Sequence, residues 1–280
     1  MRLDGKTILI TGSTDGVGRR VALKLAEAGA EVLAHGRSAE HGESLLEEMR
    51  AKGNGKGRLY LADLSSLAEV RKLAHAIARD HPRLHVLVNN AGIGSAGRQG
   101  RRETSPDGHE LRFAVNYLAG FLLTRLLLPL LKASAPARIV NVASLGQQAL
   151  DFEDIMLAHG YDGGRAYSQS KLAQVMFTLD LARELKGSGV SVTCLHPATY
   201  MDTTMVRQAG LSPMSSVEEG AEAILNLAVA PELEGRTGEF YDRKRLARAN
   251  PQAYDEHARD RLRRLSLELT GLAPAPAPSA

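Results

Sequence analysis

A tyrosine and a lysine stand four residues apart in the second half of the chain. Tyr167 and Lys171 bound the segment Tyr-Ser-Gln-Ser-Lys in a stretch of helical periodicity, so their side chains share one helix face. A lysine ammonium near a phenol favours the phenolate and lowers a pKa that is ordinarily about 10. Such a tyrosine can donate or accept a proton during a hydride transfer. Taken alone, this spacing is common by chance, and a surface pair is then the usual explanation.

A glycine-rich turn follows the first apolar run near the N-terminus. Gly12 permits a tight turn, Gly16 lets the backbone approach a ligand, and Gly18 lets the next helix pack on a sheet. That helix then offers unpaired N–H groups and the positive end of its dipole to a pyrophosphate. The alternative is a connection that binds nothing, but a turn placed after the first strand favours a dinucleotide. The candidate contacts are Gly12, Ser13, Thr14, Asp15, Gly16, Val17 and Gly18.

The end of the second predicted strand bears on the choice of dinucleotide. An acidic residue there would bind the ribose 2′-OH and favour NAD, but the chain reads His35-Gly36-Arg37-Ser38. Arg37 offers a fork of donors suited to a 2′-phosphate, so we predict NADP, with NAD possible; an exposed surface arginine is the competing interpretation. Asp63 and Leu64 follow the third strand and are candidates to hold the adenine, although an aspartate that opens a helix is also an ordinary cap.

Composition excludes several classes of protein. The 280 residues are 44% hydrophobic and 24% charged, as in globular proteins. A net charge of +3 and twelve aromatic residues without tryptophan argue against a nucleic-acid surface, and the arginine-rich stretch 243–264 is interpreted as a solvated helix face. A single cysteine, Cys194, excludes an internal disulfide and a multi-cysteine zinc site, and we expect no metal.

No secretory signal is present, and the apolar run 117–131 is interrupted by Arg125 and Pro129, so we expect a cytoplasmic protein without a membrane span.

Strand and helix patterns alternate along the chain. Continuous Val, Ile and Leu runs predict strands buried on both faces of a parallel sheet, so the expected fold is a single-domain, doubly wound, Rossmann-type α/β domain over residues 1–272 with about seven strands. The Ala/Pro tail 273–280 is predicted to be disordered. Strands are predicted at 6–11, 31–35, 58–62, 84–88, 138–142, 191–196 and 239–241, and helices at 17–28, 40–51, 66–80, about 106–131, 165–186 and 217–229.

Motifs after two later strands complete a pattern. Asn89-Asn90-Ala91-Gly92 follows the fourth strand, Asn116 lies in the next helix, and Ser144 follows the fifth strand. With the glycine turn and the tyrosine–lysine pair, in this order, the chain resembles the short-chain dehydrogenase/reductase family from residue 2 to about 271.

The resemblance implies a role for each matching residue. Tyr167 would be the general acid/base, and Lys171 would tune it and hold the nicotinamide ribose. Ser144 would hydrogen-bond the substrate oxygen, and Asn116 would hold a water for proton relay through Lys171. Three further residues, Asn90, Ala91 and Gly92, would line the cofactor and brace the sheet.

Local similarity points within the family. Residues 107–124 and 167–174 look like the retinol-dehydrogenase-like and protochlorophyllide-reductase-like branch, and Ser144 and Tyr167 lie 23 residues apart, as in that branch. The intervening loop 145–165 lies beside the chemistry, where long loops are commonly functional. No N-terminal anchor of the membrane-bound relatives is present, so retinoids are not implied. The loop offers a substrate wall of Phe152, Ile155, Met156, Leu157, His159 and Tyr161.

The segment after the sixth strand departs from the family pattern. Ala198 replaces the usual glycine after Pro197, and Asp202 stands where a threonine that contacts the nicotinamide amide is expected. Either the register shifts by one residue or Thr203 makes that contact; Pro197 and Thr199 are further candidate cofactor contacts. Residues 199–216 are interpreted as a substrate lid, with an ordinary surface helix and loop as the alternative.

These observations predict an NADP(H)-dependent oxidoreductase that interconverts a carbonyl and an alcohol on a small to medium, partly apolar substrate. Reduction of a carbon–carbon double bond at the same site and a dinucleotide-sensing regulatory protein without turnover are the alternatives. Self-association through the helices that carry Asn116 and Tyr167 is possible.

Overall fold

The structure confirms the predicted alternation of strands and helices. It is a computed structural model that describes residues 2–52, 56–95 and 100–272, so the predicted disordered tail lies outside the described residues. The strands are β1 (Thr7–Ile10), β2 (Glu31–Gly36), β3 (Gly57–Leu61), β4 (Val86–Asn89), β5 (Ala137–Val142), β6 (Val190–His196), β7 (Glu239–Asp242) and β8 (Arg245–Ala247). The helices are α1 (Gly16–Glu27), α2 (Ala39–Lys52), α3 (Leu67–Asp80), α4 (Ala119–Ala133), α5 (Gly163–Glu184), α6 (Thr204–Gln208), α7 (Val217–Val229) and α8 (Glu256–Leu269).

The strands form one sheet in the order β3-β2-β1-β4-β5-β6-β7-β8. The pairs from β3 to β7 are parallel, and β8 joins β7 in antiparallel register. Helices cover both faces and bury two apolar clusters, one on each side of the sheet. The strand order reverses between β1 and β4, where open parallel sheets bind ligands beyond the carboxyl ends of the strands.

Three sequence expectations need correction. The sheet has eight strands where about seven were predicted, because Arg245–Ala247 forms a short edge strand after a turn at Arg243, whose φ is 54°. The stretch 243–264 is therefore not one helix face, since helix α8 begins only at Glu256. The helix predicted from about residue 106 begins later, because Thr104 pairs with Glu110 around a turn at Gly108.

A π-helix, Phe113–Leu118, lies where the sequence pattern indicated an ordinary helix, and it carries Asn116 directly before α4. The combined stretch Phe113–Ala133 is long and apolar enough, by length and composition alone, to cross a membrane, but 67% of it is buried inside the protein, which is the behaviour of a core helix. Helix α8 packs on α5 and on this stretch, where the buried Tyr117 hydroxyl lies 2.6 Å from Ser266 Oγ.

His35 joins the glycine turn to two strands. Its Nδ1 accepts a hydrogen bond from the Gly12 backbone N–H at 3.1 Å, and its Nε2 donates to the Ala62 carbonyl at 3.1 Å. Ser13 completes the join, because its N–H donates to the His35 carbonyl and its hydroxyl accepts from the His35 N–H. The buried imidazole must stay neutral to accept from Gly12, and burial lowers its pKa to about 4. His35, near the end of β2, is thus an internal brace of the turn.

The neutral form of His35 makes stability depend on pH. The folded pKa lies below the ordinary value of 6.5, so this contribution is complete above pH 6.5 and is lost as the pH falls toward 4, by up to about 3 kcal/mol. Urea unfolding of the wild type and of His35→Gln, which does not titrate, should show a stability difference that shrinks over this range. Parallel pH curves for the two proteins would contradict the assignment.

The contact between Tyr117 and Ser266 gives a second stability prediction. Ser266 Oγ donates its own proton to the Leu262 carbonyl, so Tyr117 is the donor in their bond. Ser266→Ala leaves a buried phenol unsatisfied and should cost about 1–3 kcal/mol, whereas Tyr117→Phe should cost about 1 kcal/mol or less. Urea unfolding measures both, and equal losses would show that the hydrogen bond does not decide how α8 docks.

Candidate active site

Four predicted residues meet at the carboxyl edge of the sheet. Ser144 follows β5, Tyr167 and Lys171 lie on α5, and Asn116 lies on the π-helix. Lys171 Nζ is 5.7 Å from the centroid of the Tyr167 ring, and Asn116 Nδ2 donates to Ser170 Oγ on the same helix at 3.0 Å. The tertiary structure therefore brings together side chains that are up to 55 positions apart in the sequence.

Tyr167 is half-buried beside Ser144, since a Cβ on Gly146 would lie 3.5 Å from Ser144 Oγ and 3.9 Å from Tyr167 Cε1. Burial raises the pKa of Tyr167, and the nearby Ser144 hydroxyl acts in the opposite direction. Ser144 is itself held in place, because its Oγ accepts from the Gly146 N–H at 3.0 Å. A protonated phenol beside a fixed hydroxyl can deliver a proton to an oxygen that both groups contact.

Lys171 is buried and hydrogen-bonded within the protein. Its Nζ donates to the Val142 carbonyl at 2.9 Å and to Gln174 Oε1 at 3.0 Å, and burial lowers the pKa of Lys171 to about 7. The expected effect of its charge on the phenol of Tyr167 stays a prediction. Gly92 lies beside the amine, since an added Cβ there would lie 3.6 Å from Nζ.

Both polar atoms of the Asn116 side-chain amide are hydrogen-bonded within the protein. Oδ1 accepts from the Ile93 N–H at 2.8 Å, and Nδ2 donates to the Ile93 carbonyl at 3.1 Å as well as to Ser170. Asn116 thereby fixes the loop after β4 against α5. The water relay implied by the family resemblance stays a prediction. Because the side-chain amide is already hydrogen-bonded, such a water would be held by the backbone of the π-helix, where π-turns disturb the regular helix hydrogen bonding.

The glycine turn forms a cradle at the N-terminus of α1. A Cβ on Gly18 would lie 2.2 Å from the Gly12 carbonyl oxygen, and one on Gly12 would lie 2.9 Å from Ala91 Cα. These close approaches leave room for nothing larger than glycine. Asp15 caps the helix by accepting from Gly16 N–H, while the N–H groups of Val17 and Gly18 have no acceptor within the described part of the chain. They are available to an anion such as a pyrophosphate.

Residues after β4 brace this cradle. Asn90 Nδ2 donates to the carbonyls of Thr11 and Gly12 at 2.9 and 3.0 Å. Thr11 Oγ1 accepts in return from the N–H groups of Asn90 and Ala91, both at 3.0 Å. Thr11 was not singled out in the sequence, although it directly precedes the first glycine of the turn.

The candidate contacts for the adenosine half of the cofactor separate into two groups. Arg37 is exposed. Thr14 packs against the residue before it, since a Cβ on Gly36 would be 2.4 Å from the Thr14 side chain. In contrast, Ser13 and Leu64 are buried, so their side chains support the turn and the core. Asp63 accepts from the Ser65 N–H, while Ser66 caps α3.

The loop after β6 settles where Thr203 lies. Thr203 caps α6 by accepting from the Val206 N–H, and its methyl group would be 3.3 Å from a Cβ on Gly16. Thr203 therefore borders the glycine turn, whereas Asp202 is exposed and pairs with Arg207. Pro197 is buried, and Thr199 Oγ1 lies 3.1 Å from His196 Nε2.

The segment interpreted as a lid lies across the mouth of the site. Two backbone hydrogen bonds close its base, from Met214 N–H to the Tyr200 carbonyl and from Asp202 N–H to the Ser215 carbonyl. Met205, on α6 between them, lies 3.2 Å from the position of a Cβ on Gly94. The segment thus spans from the glycine turn to the loop after β4.

The loop 145–165 contributes less to a substrate wall than the sequence indicated. Leu157 is buried, and His159 points into solvent with a side chain 93% exposed, so neither can line the site. Tyr161 is tied down by hydrogen bonds to Arg112 and Glu110 at 2.9 and 3.0 Å, and burial raises the pKa of Tyr161 to about 12. The remaining members of the predicted wall, Phe152, Ile155 and Met156, pack against the core.

Two buried contacts were missed by sequence reasoning. Gln174 accepts from Lys171, and Arg112 donates to the Gly94 carbonyl at 3.1 Å. Gln174 stands three positions after Lys171 on the same helix face, and this spacing could have indicated their contact. The carbonyl that Arg112 contacts lies in a loop, so no sequence pattern indicated that contact. Within the described ranges, no group of three or more His, Cys, Asp or Glu side chains is arranged to hold a metal ion.

Comparison with known proteins agrees with this geometry. Residues 6–212 match the family model described as short chain dehydrogenase. The chain is 39% identical to retinol dehydrogenase 13 of Mus musculus over 98% of its own length and 86% of that protein, and 35% identical to retinol dehydrogenase 12 of Homo sapiens over 97% and 88%.

Solved structures show the same fold. A protein from Mycobacterium paratuberculosis superimposes with a TM-score of 0.77 at 28% identity and covers 96% of this chain and 95% of its own. The active-site complex of Pseudomonas aeruginosa RhlG with NADP gives a TM-score of 0.70 at 30% identity, with 86% and 95% covered. With a tyrosine, a serine and a lysine grouped beside a glycine cradle at the switch point of its sheet, this chain belongs to the short-chain dehydrogenase/reductase family and is an alcohol/carbonyl oxidoreductase.

Proposed function

We propose that the protein is an NADP(H)-dependent oxidoreductase that interconverts a carbonyl and an alcohol on a small to medium, partly apolar substrate, with Tyr167 as the general acid/base. The observation that carries this proposal is the meeting of Tyr167, Ser144 and Lys171 beside the cradle of α1. Each group has a place in the proposed reaction.

The cradle fits a nicotinamide dinucleotide. The free N–H groups of Val17 and Gly18 are suited to the pyrophosphate, and the glycine backbones permit its close approach. When bound, this cofactor supplies or accepts the hydride. Lys171, whose Nζ lies near Gly92, would hold a ribose hydroxyl, as the family resemblance implies.

The protein's own residues handle the proton. In the direction of reduction, Ser144 hydrogen-bonds the carbonyl oxygen and Tyr167 donates its proton to that oxygen, while the hydride goes to carbon. Burial keeps the pKa of Tyr167 high, so the phenol retains its proton near neutral pH and is ready to act as an acid. In the direction of oxidation, the Tyr167 phenolate accepts the alcohol proton. A protonated Lys171 stabilises that phenolate.

Arg37 supports NADP over NAD. The end of β2 has no carboxylate for a ribose 2′-OH, and Arg37 is exposed there. A guanidinium forms charge-assisted, bidentate bonds to a phosphate. The NADP in the Pseudomonas aeruginosa complex is consistent with this choice.

Location and assembly belong to the same proposal. We assign the protein to the cytoplasm because its most apolar helical stretch is mostly buried; cell fractionation tests this. Self-association through α4 and α5 must use surface that α8 leaves free, since α8 ion-pairs with α5 through Arg183 with Asp260 and Arg263 with Asp180. Light scattering of the purified chain measures the state directly.

The role of Tyr167 is tested by Tyr167→Phe. Loss of the proton donor should lower kcat by about 10²–10⁴-fold while the Kd for NADPH stays unchanged. The assay is NADPH consumption against a panel of aldehydes, ketones, quinones and enones, with Tyr254→Phe, an exposed tyrosine outside the site, as the control. Tight cofactor binding without turnover of any compound by the wild type would favour the regulatory alternative, and turnover of enones alone would favour double-bond reduction.

The role of Arg37 is tested by Arg37→Ala. Removing charge-assisted bonds to a 2′-phosphate should weaken NADPH binding by about tenfold or more and leave NADH binding unchanged. Fluorescence titration gives both constants. Arg264→Ala, an exposed arginine on α8, is the matched control. Equal effects on the two cofactors would remove the basis for NADP preference.

A further inference from the structure

Ser144 lies in a tight turn that a glutamine side chain closes. Ser144 Oγ accepts from the Gly146 N–H at 3.0 Å, and the Gln147 N–H donates to the Leu145 carbonyl at 2.9 Å. The side chain of Gln147 folds back over this turn, and its Nε2 donates to the Ser144 carbonyl at 2.6 Å. That bond fixes the peptide plane after Ser144, so it limits the backbone rotation that would turn the serine hydroxyl away from the site.

The same glutamine reaches the C-terminal part of the chain. Gln147 Oε1 accepts from the Asn250 N–H at 2.9 Å, across 103 positions of the sequence. Because one partner of the amide is a backbone N–H and the other is a carbonyl, only one orientation of the amide satisfies both. Gln147 is therefore a bridge between the turn at Ser144 and a segment that lies far away in the sequence.

A second glutamine makes a parallel bridge three residues further along the loop. Gln252 Oε1 accepts from the Leu150 N–H at 2.6 Å, and Gln252 Nε2 donates to the Leu150 carbonyl at 3.1 Å. Leu150 is buried, so this side chain satisfies both backbone groups of a residue that is shielded from water. We call the two bridges, Gln147 to Asn250 and Gln252 to Leu150, the glutamine clamp.

The C-terminal half of the clamp rests on a fixed support. Asn250 caps a short 3₁₀ turn by accepting from the Gln252 N–H at 3.0 Å. Ala253 in this turn is fully buried, and its carbonyl accepts from the Arg259 guanidinium on α8 at 2.8 Å. The turn and α8 both pack on α5, which carries Tyr167. The clamp therefore holds the turn at Ser144 against the frame that also holds the phenol.

The clamp comes from outside the part of the chain that matches the family model. That match ends at residue 212, whereas Asn250 and Gln252 follow β8. The matched part supplies the serine and the tyrosine, and the C-terminal segment supplies backbone and side-chain groups that hold the loop after the serine. Reacting groups need this support, because an error of about 1 Å in their placement can cost about 10²-fold in rate.

We propose that Gln147 is a positioning residue for Ser144, and that the C-terminal segment 250–252 keeps it in place through the glutamine clamp. Gln147 acts through the turn that directs the Ser144 hydroxyl toward the substrate oxygen. The inference rests on the proposed function, in which Ser144 hydrogen-bonds that oxygen, and it adds the means by which the chain orders the serine.

Substitution of Gln147 tests the proposal by kinetics. Gln147→Met removes both hydrogen bonds of the amide and should lower kcat by about 10–100-fold, with the Kd for NADPH unchanged. Gln147→Glu keeps an acceptor for Asn250 but loses the donor to Ser144, so it should lower kcat to a similar extent. The assay is NADPH consumption with the aldehyde and ketone panel. Gln148→Met, at the exposed neighbouring position, is the matched control, and wild-type kcat in Gln147→Glu overturns the proposal.

A double-mutant cycle separates positioning from a general loss of structure. In a Ser144→Ala background, Gln147→Met should cause no further loss of kcat, because the group that it positions is absent. Additive losses would show that Gln147 acts elsewhere and would refute the proposal alone. A wild-type kcat in Ser144→Ala by itself would show that the proposed function is wrong about the serine, and the inference would fall with it.

Hydrogen–deuterium exchange tests the clamp without turnover. Gln147→Met and Gln252→Met should each speed amide exchange by about fivefold, the effect of one lost hydrogen bond, in the peptides that cover 144–150 and 248–252. Exchange in the peptide that covers β1 should stay unchanged in both variants. Unchanged exchange over 144–150 in Gln252→Met would show that the C-terminal segment does not hold the turn, and the proposal would fail.

Discussion

The close approach of the Gly12 backbone to its neighbours is the constraint on which the site depends. Its carbonyl occupies the space that a Gly18 Cβ would need, and its Cα side faces the backbone of Ala91. Helix α1 can therefore start directly above the sheet, with its free N–H groups at the edge where the strands end. A hydrogen bond from Gly12 N–H to His35 and two from Asn90 to the carbonyls of Thr11 and Gly12 hold the turn from both sides. Since His35 must be neutral for this, the shape of the cofactor cradle is coupled to the burial of one imidazole.

A chain of buried polar side chains leads to Lys171 in a similar way. Asn89 donates to Asn141 at 2.8 Å, and Asn141 donates to Thr178 at 2.8 Å. Thr178 in turn donates to the carbonyl of Gln174, whose side chain accepts from Lys171. An unpaired ammonium in this position would carry a large desolvation cost. The network links β4 and β5 to α5, so the position of Lys171 follows from the pairing of two central strands.

The mouth of the site is built differently from its base. The base is made of strand ends and two helices whose residues are buried and hydrogen-bonded, which gives the reacting groups a fixed geometry. The mouth is made of the lid and the loop 145–165, and the lid leaves most of its residues in solvent. This division suits an enzyme family whose members share one arrangement of proton-transfer groups and differ at the mouth of the site, where the substrate is selected.

The sequence by itself determined the alternation of strands and helices and the glycine turn, because periodicity and glycine spacing are local signals. The family resemblance added Asn116, Ser144, Tyr167 and Lys171 as the candidate catalytic residues. It could not determine which polar groups become buried together, since burial depends on elements far apart in the chain. The tertiary structure alone decided that His35 braces the turn and that Lys171 faces Val142 and Gln174. It also placed Leu157 in the interior and left Tyr200 exposed, although both read as apolar loop residues. Burial raises the pKa of Tyr167 for the same reason: a spacing of four residues fixes the helix face, and only packing fixes the dielectric around it.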